Sequence, residues 1–253
     1  MTASAAVHAA VSAAARLGVA CAEPVVLADG ANVIVHLSPS PVVAKVAGST
    51  AAIRGDGAAW LQRELDVSFF LAQAGIPVTT PARDLPRTVH HCDGHVMSFW
   101  TYHPPSGTQL PAEDTIGSML RDLHAALRTY PDPGPVLTPL GDIPAFLARP
   151  QTLLSPSDVA LLADTFDRLT DDLAAAAAPV QMLHGDAGRS NLMATGGQWV
   201  WHDFEDTCSG RSHGISRRRP QTRDWTARAS WSPMATPSTK PNCVPASSSG
   251  GFP

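Results

Sequence analysis

Between residues 183 and 193 the chain reads LHGDAGRSNLM, which gathers His184, Asp186, Arg189 and Asn191 into one turn. Charged residues make up only 16% of the chain, so this density needs a reason. Phosphoryl transfer supplies one. It asks little covalent work of a protein, but it needs a carboxylate to orient the attacking hydroxyl and oxygen ligands to hold a metal ion on the phosphates. Asp186 can take the hydroxyl proton. Asn191, after four intervening residues, can offer an amide oxygen to a hard cation such as magnesium. Asp203, in WHDFED, closes the next apolar run and offers a second metal ligand. Arg189 supplies positive charge against the group being transferred. The competing reading of the same residues is a capped polar turn on the surface.

The elements that must position these residues can be read around them. The first 23 residues, MTASAAVHAAVSAAARLGVACAE, lack a basic start, and His8, Ser12 and Arg16 interrupt their apolar face. They predict an amphipathic helix rather than a signal peptide. Apolar runs at 24–28, 32–37 and 41–47, punctuated by DGA and SPSP, predict three short antiparallel strands. AAWLQRELDVSFFLAQAG has helical spacing and a stop at Gly75. TVHHCDGHVMSFWTYH predicts a hairpin turning at Asp93-Gly94. Together these make a five-stranded sheet with one helix inserted after its third strand. From AEDTIGSMLRDLHAALRTY onward the pattern is helical. A second long helix begins near SPSD and is closed by Pro179, and VQMLHGD and QWVWHDF are short strands flanking the turn. The expected organisation is α+β, with a sheet-rich lobe over 1–102 and a helical lobe over 103–210.

In this order the landmarks resemble the aminoglycoside phosphotransferase group of small-molecule kinases, which share the protein-kinase-like fold. The resemblance runs from about residue 20 to Gly210. It implies that Lys45, in VVAKVA on the third strand, binds nucleotide phosphates and pairs with Glu64 on the following helix. Lys45 is the only lysine before Lys240, in a chain that otherwise uses arginine for positive charge. LADGANVIVHL resembles the phosphate loop, with Gly30, Ala31 and Asn32 at its turn. VMSFWTYHPPSG resembles the lobe connection whose backbone meets adenine, and SMLRDLHAAL resembles the helix before the catalytic region. The implied activity is ATP- and Mg2+-dependent transfer of the γ-phosphoryl group to a hydroxyl of a small molecule, with aminoglycosides, choline, homoserine and sugars among the family's acceptors. The alternative is a nucleotide-binding protein without turnover, or a non-functional fragment.

The resemblance stops after DFEDTCSG. Up to Gly210 there are 11 basic and 21 acidic residues, a net of −10; from Arg211 there are 7 and 1, a net of +6. Residues 211–253 contain no leucine, six prolines and eight serines. Such a composition buries too little apolar surface to offset the entropy of ordering, and predicts disorder. The helices that usually complete the second lobe are not recognisable there. A shifted reading frame accounts for the charge reversal, the loss of leucine and the end of the resemblance together; a genuine basic tail is the alternative.

Other functions are excluded by the same reading. No apolar run is long enough to span a membrane. The four cysteines form no CxxC pair, which suits free thiols in a reducing cytoplasm. His90, His91, Cys92 and His95 flank a hairpin turn, where neighbouring side chains alternate faces, and so make a poor zinc site. Arg217, Arg218 and Arg219 read as a solvated charge run rather than a nucleic-acid patch. Nothing in the pattern speaks to oligomeric state. If the frame has shifted, the coding DNA after the Gly210 codon, read in its other frames, should yield a leucine-bearing segment that starts near Gly-Pro and soon reaches Trp-Asp-Leu. A stop-rich sequence in both would establish the basic tail instead.

Overall fold

The structure is a computed structural model and describes residues 2–54, 57–107, 110–132, 134, 138–149, 154–175 and 180–211. The expected disorder of the tail and the closure of the long helix at Pro179 lie outside the described residues.

The chain opens with α1 (Ala3–Arg16), capped by the Thr2 hydroxyl, which accepts from the Ala5 N–H. Its alanines at 6, 9, 10, 13 and 14 form one buried stripe. Small side chains let the helix lie close against the sheet, and the β-strands carry the larger partners, Val33, Val35, Leu37, Val46, Met97 and Phe99, with Ala44 between them. α1 is therefore part of the core of this sheet.

Three strands follow, β1 (Cys21–Asp29), β2 (Asn32–Pro39) and β3 (Val42–Ala47), paired antiparallel. Next come a short helix, α2 (Ser49–Arg54), and the long α3 (Gly57–Gln73). The single helix expected here is α3; α2 is an addition. A hairpin of β4 (His90–Cys92) and β5 (His95–Thr101) completes a sheet of order β1-β2-β3-β5-β4. Its turn places Asp93 and Gly94 at φ 50° and 75°, the two positive values that a two-residue hairpin loop requires.

β3 is the centre of this sheet and is covered on both faces. Val46 and Ala44 face α1, while Val43 packs with Leu65 of α3 and Trp100 of β5. Such a strand reads as a continuous apolar run, and VVAKVA breaks that run once, at Lys45, which pairs in register with Ile34 and Ser98. α3 ends in a Schellman motif: the Gly75 N–H donates to Ala72 O and the Ile76 N–H to Leu71 O, with Gly75 at φ 78°. The chain then runs along 76–79, where Trp201 N–H donates to Pro77 O and Thr79 N–H to Trp201 O, both at 2.9 Å.

The second half comprises α4 (Glu113–Leu127), α5 (Thr138–Leu147), α6 (Pro156–Ala175) and four short strands. The strands are β6 (Val180–Leu183), β7 (Leu192–Thr195), β8 (Gln198–Trp201) and β9 (Cys208–Arg211). α6 starts in a capping box, with Ser155 Oγ accepting from the Asp158 N–H and Asp158 Oδ2 from the Ser155 N–H. β6 pairs with β9, and β7 pairs with β8 through Gly196-Gly197. Val67 and Leu71 of α3, Leu123 and Leu127 of α4, Met182, Leu192, Trp201 and Phe204 form the second core. Thus α3 and β8 share one core, and the loop after β8 is brought to the foot of α3.

Seating α1 on the sheet leaves no room at Ala10, which is fully buried. Ala10→Leu should cost roughly 1–3 kcal/mol by overpacking, read as a lowered urea midpoint. An unchanged midpoint would show that α1 does not pack as described.

Candidate active site

Lys45 is the charge around which the site assembles. It is 6% exposed, so its ammonium must find counter-charge inside the protein. Three carboxylates provide it. Nζ lies 3.0 and 2.9 Å from the two oxygens of Glu64, 2.6 Å from Asp203 Oδ1 and 2.9 Å from Glu205 Oε2. An ammonium has three N–H donors; hydrogen bonds run to Glu64 Oε1 and Asp203 Oδ1, and Glu205 is an ion-pair neighbour. Glu64 comes from α3; Asp203 and Glu205 come from the loop after β8. Burial alone would lower the lysine's pKa, but the attraction of Glu64, Asp203 and Glu205 outweighs it and holds the value above normal.

The carboxylates outnumber their ammonium. Burial, aided by Asp203 and Glu205 against the pull of Lys45, pushes Glu64 up to about 7. Asp203 goes the other way: burial would raise it, but Lys45 beside it holds it below the usual carboxylate range. The ligand oxygens of Glu64, Asp203 and Glu205 lie within 4.8 Å of one another, a hard-oxygen set suited to a divalent cation. Asp203 sits at φ 64°, ψ 61°, a left-handed conformation that costs a non-glycine residue on the order of 1 kcal/mol and turns the chain sharply out of β8.

The loop 184–191 docks on that same turn. Asn191 is buried, and its Nδ2 donates to Asp186 O at 2.7 Å and Asp186 Oδ2 at 3.1 Å. The His202 N–H donates to Asn191 O at 3.0 Å, tying the loop to the end of β8. Gly185 has φ 85°, and a Cβ there would sit 1.9 Å from Asp206 O, so only glycine allows this approach. His184 is fully buried between the rings of Trp201 and Phe204, and its Nε2–H donates to His202 O at 3.2 Å. Burial lowers its pKa, which keeps the ring neutral, and it anchors the loop rather than presenting a ligand.

A lysine bound to a helix glutamate and to the aspartate after β8, beside a docked Asp186–Asn191 loop, is a specific arrangement, and it agrees with the sequence match. Residues 28–211 match the model of the phosphotransferase enzyme family. The chain belongs to that family. Among solved structures it is similar to amicoumacin kinase hAmiN in complex with AMP-PNP, Ca2+ and Ami, with 17% identity and TM-score 0.53, over 74% of this chain and 60% of that one. It is also similar to a thermostable mutant of the aminoglycoside phosphotransferase APH(4)-Ia bound to ADP and hygromycin B, with 12% identity and TM-score 0.51, covering 78% and 70%. ADP-bound APH(2'')-Ib matches at 13% identity and TM-score 0.51, covering 80% and 72%. These likenesses establish a kinase-like fold. The chain spans about 60% of the length of amicoumacin kinase. No curated protein matches it.

Of the residues expected in the phosphotransferase site, Lys45, Glu64, Asn32 and Asp203 converge on one cluster, and Asp186 and Asn191 meet each other beside it. Asn32 joins through Nδ2, which donates to Glu205 Oε2 at 2.7 Å, while its Oδ1 accepts from the Gly48 N–H at 3.3 Å. Gly30 stays at the exposed tip of the β1–β2 turn, and a side chain there would meet nothing within 4 Å. Arg189 is half exposed and donates to Glu113 at the start of α4, at 2.7 Å. Glu205 escaped the sequence reading; the signal was the run of acids in DFED, where only the first was assigned.

The crowding of Glu64 has a pH signature. Its carboxyl titrates near 7 folded against an ordinary 4.5, so between those values the folded state holds the proton and the unfolded state does not. Stability from this group is therefore full below about pH 4.5 and falls as pH rises through 7. Without divalent metal, wild type should lose melting temperature relative to Glu64→Gln as pH rises from about 5 to about 8, an interval that spans the transition near 7. Parallel pH profiles would remove the proton from Glu64.

Proposed function

We propose that the chain transfers the γ-phosphoryl group of ATP to a hydroxyl of a small molecule, with Mg2+. The observation that carries this reading is Lys45 held between Glu64 and Asp203 next to the Asp186–Asn191 loop. The nucleotide would lie between the sheet-rich lobe, 1–102, and the helical lobe, 103–210. Lys45, oriented by Glu64, neutralises phosphate charge, and the turn at Gly30 and Asn32 closes over the phosphates. Asp203 and Asn191 would hold the magnesium, whose oxygen-rich surroundings suit it. When bound, the ion neutralises charge on the phosphates.

Asp186 orients the acceptor and takes its proton as the acceptor oxygen bonds to phosphorus. The bond from phosphorus to the bridging oxygen breaks, and ADP leaves with that oxygen's electron pair. Arg189 adds positive charge to the approach once it exchanges Glu113 for the substrate. Its pairing with Glu113 is exposed and so weak enough to give up. The acceptor class is an alcohol of the aminoglycoside, choline or homoserine type, and the acidic body of the chain favours a cationic one. No nucleic acid or membrane partner is needed, and free cysteines suit a cytoplasmic setting. A nucleotide-binding protein without turnover is the second reading, favoured by the limited coverage of amicoumacin kinase.

Asp186→Asn should abolish transfer to any acceptor while ATP affinity stays within about twofold, because the carboxylate acts on the hydroxyl rather than the nucleotide. Asp203→Ala should weaken Mg2+-dependent ATP binding by at least about tenfold, measured by calorimetry with and without the metal. Near-normal turnover in the first variant, or equal affinities in the second, would overturn these roles. Tight Mg2+·ATP binding by wild type with no turnover on a broad acceptor panel would favour the second reading.

A further inference from the structure

The carboxylate cluster has an outer half that phosphoryl transfer, as proposed, does not use. Its centre is Arg54, the last residue of α2. Nε donates to Asp142 Oδ2 of α5 at 2.7 Å, Nη2 donates to Asp206 Oδ1, and Nη1 lies 3.6 Å from Glu205 Oε1. The guanidinium also sits 5.9 Å from the Trp60 ring centroid, the same distance as the Lys45 ammonium from that ring. Its side chain is 12% exposed, and those of Glu205, Asp206 and Asp142 are 9%, 19% and 25% exposed.

Glu205 is shared between the two halves. One oxygen receives Lys45 and Asn32, and the other faces Arg54. Asp206 is shared differently: its side chain receives Arg54, while its carbonyl is the group that Gly185 must clear. The position of Asp206 therefore sets how closely the Asp186 loop approaches. A planar fork fixes the direction of each contact as it reaches Asp142, Asp206 and Glu205, which a rotatable ammonium does not. Without it, Asp142 and Asp206 would lose this partner and Glu205 would keep only Lys45 and Asn32, so the contact that fixes Asp206 beside Gly185 would be lost.

Resting on the function proposed above, we infer that Arg54 is a positioning residue that clasps the 203–207 loop to α2 and α5 and presets both the metal-binding aspartate and the Asp186 loop. It touches neither nucleotide nor acceptor; it acts through Glu205 and Asp206.

The test uses full-length wild type, Arg54→Ala and Arg54→Lys. Amide hydrogen exchange without nucleotide reads the clasp directly, with the Thr207 N–H, which donates to Phe204 O at 3.1 Å, as reporter. In Arg54→Ala exchange across 203–207 should quicken at least about tenfold while β3 stays protected, and Mg2+-dependent ATP affinity should fall about tenfold with metal-free affinity unchanged. Arg54→Lys should recover only part of each effect. Unchanged exchange in the loop, an even increase through β3, or full rescue by lysine would overturn the inference. If wild type binds no nucleotide, the proposed function fails, and the exchange measurement alone decides the clasp.

Discussion

A buried ammonium in the middle of a doubly covered strand is the constraint on which the rest of the structure depends. Desolvating one such charge costs several kcal/mol unless counter-charge and hydrogen bonds arrive with it. β3 cannot supply them, since its other residues are apolar. Glu64 must come from α3, and Asp203 and Glu205 from a loop 158 and 160 positions along the chain. The lysine can be satisfied only if the sheet, α3 and the β8 loop close together. The hydrogen bonds of Trp201 along 77–79 and the shared packing of Val67, Leu71 and Trp201 supply that closure.

Two glycines extend the same logic to the backbone. Gly48 follows β3, and a Cβ there would lie 2.2 Å from Ala31 O, so the β1–β2 turn can approach the end of the lysine strand. Gly185 lets the Asp186 loop approach Asp206 O. Each removes one side chain at a close approach: the Gly48 N–H donates to Asn32 Oδ1, and Gly185 immediately precedes Asp186.

Much of this was legible in the sequence where a local rule marks it. Lys45 stood out as the only lysine before Lys240; Gly75 marked the end of α3 because its motif needs a left-handed residue; Asp93-Gly94 marked the hairpin. The family resemblance then selected Glu64 from many acids, and Asp203 was marked by closing the apolar run after the site turn. What stayed hidden lacks a local signature. β7 and β9 lie inside or just after the polar site loops, NLMAT and CSGR, where no apolar run stands out. Arg54 meets Asp142 and Asp206 across 88 and 152 positions, and Arg189 meets Glu113 across 76. Their spacing follows from chain closure, which no neighbouring residue encodes. Gly30 matches a turn pattern and lies at the exposed tip of the β1–β2 turn, where a side chain would meet nothing within 4 Å.

The cluster also explains why its charges are arranged as they are. Buried ion pairs contribute little net stability, and apolar replacements of similar volume are often as good. A protein selecting for stability alone would not leave three carboxylates on one lysine, with Glu64 pushed toward protonation. Arg54 answers part of that charge at Glu205, where Asn32 also donates, and the charge left over would suit a further cation. Asp203, kept ionised at the mouth of the cluster and 38% exposed, is the member that such a group can reach, while Glu64, at 3%, is the one that cannot leave. The gradient of exposure from Glu64 to Asp203 thus separates the residue that holds the lysine from the residue that can exchange it.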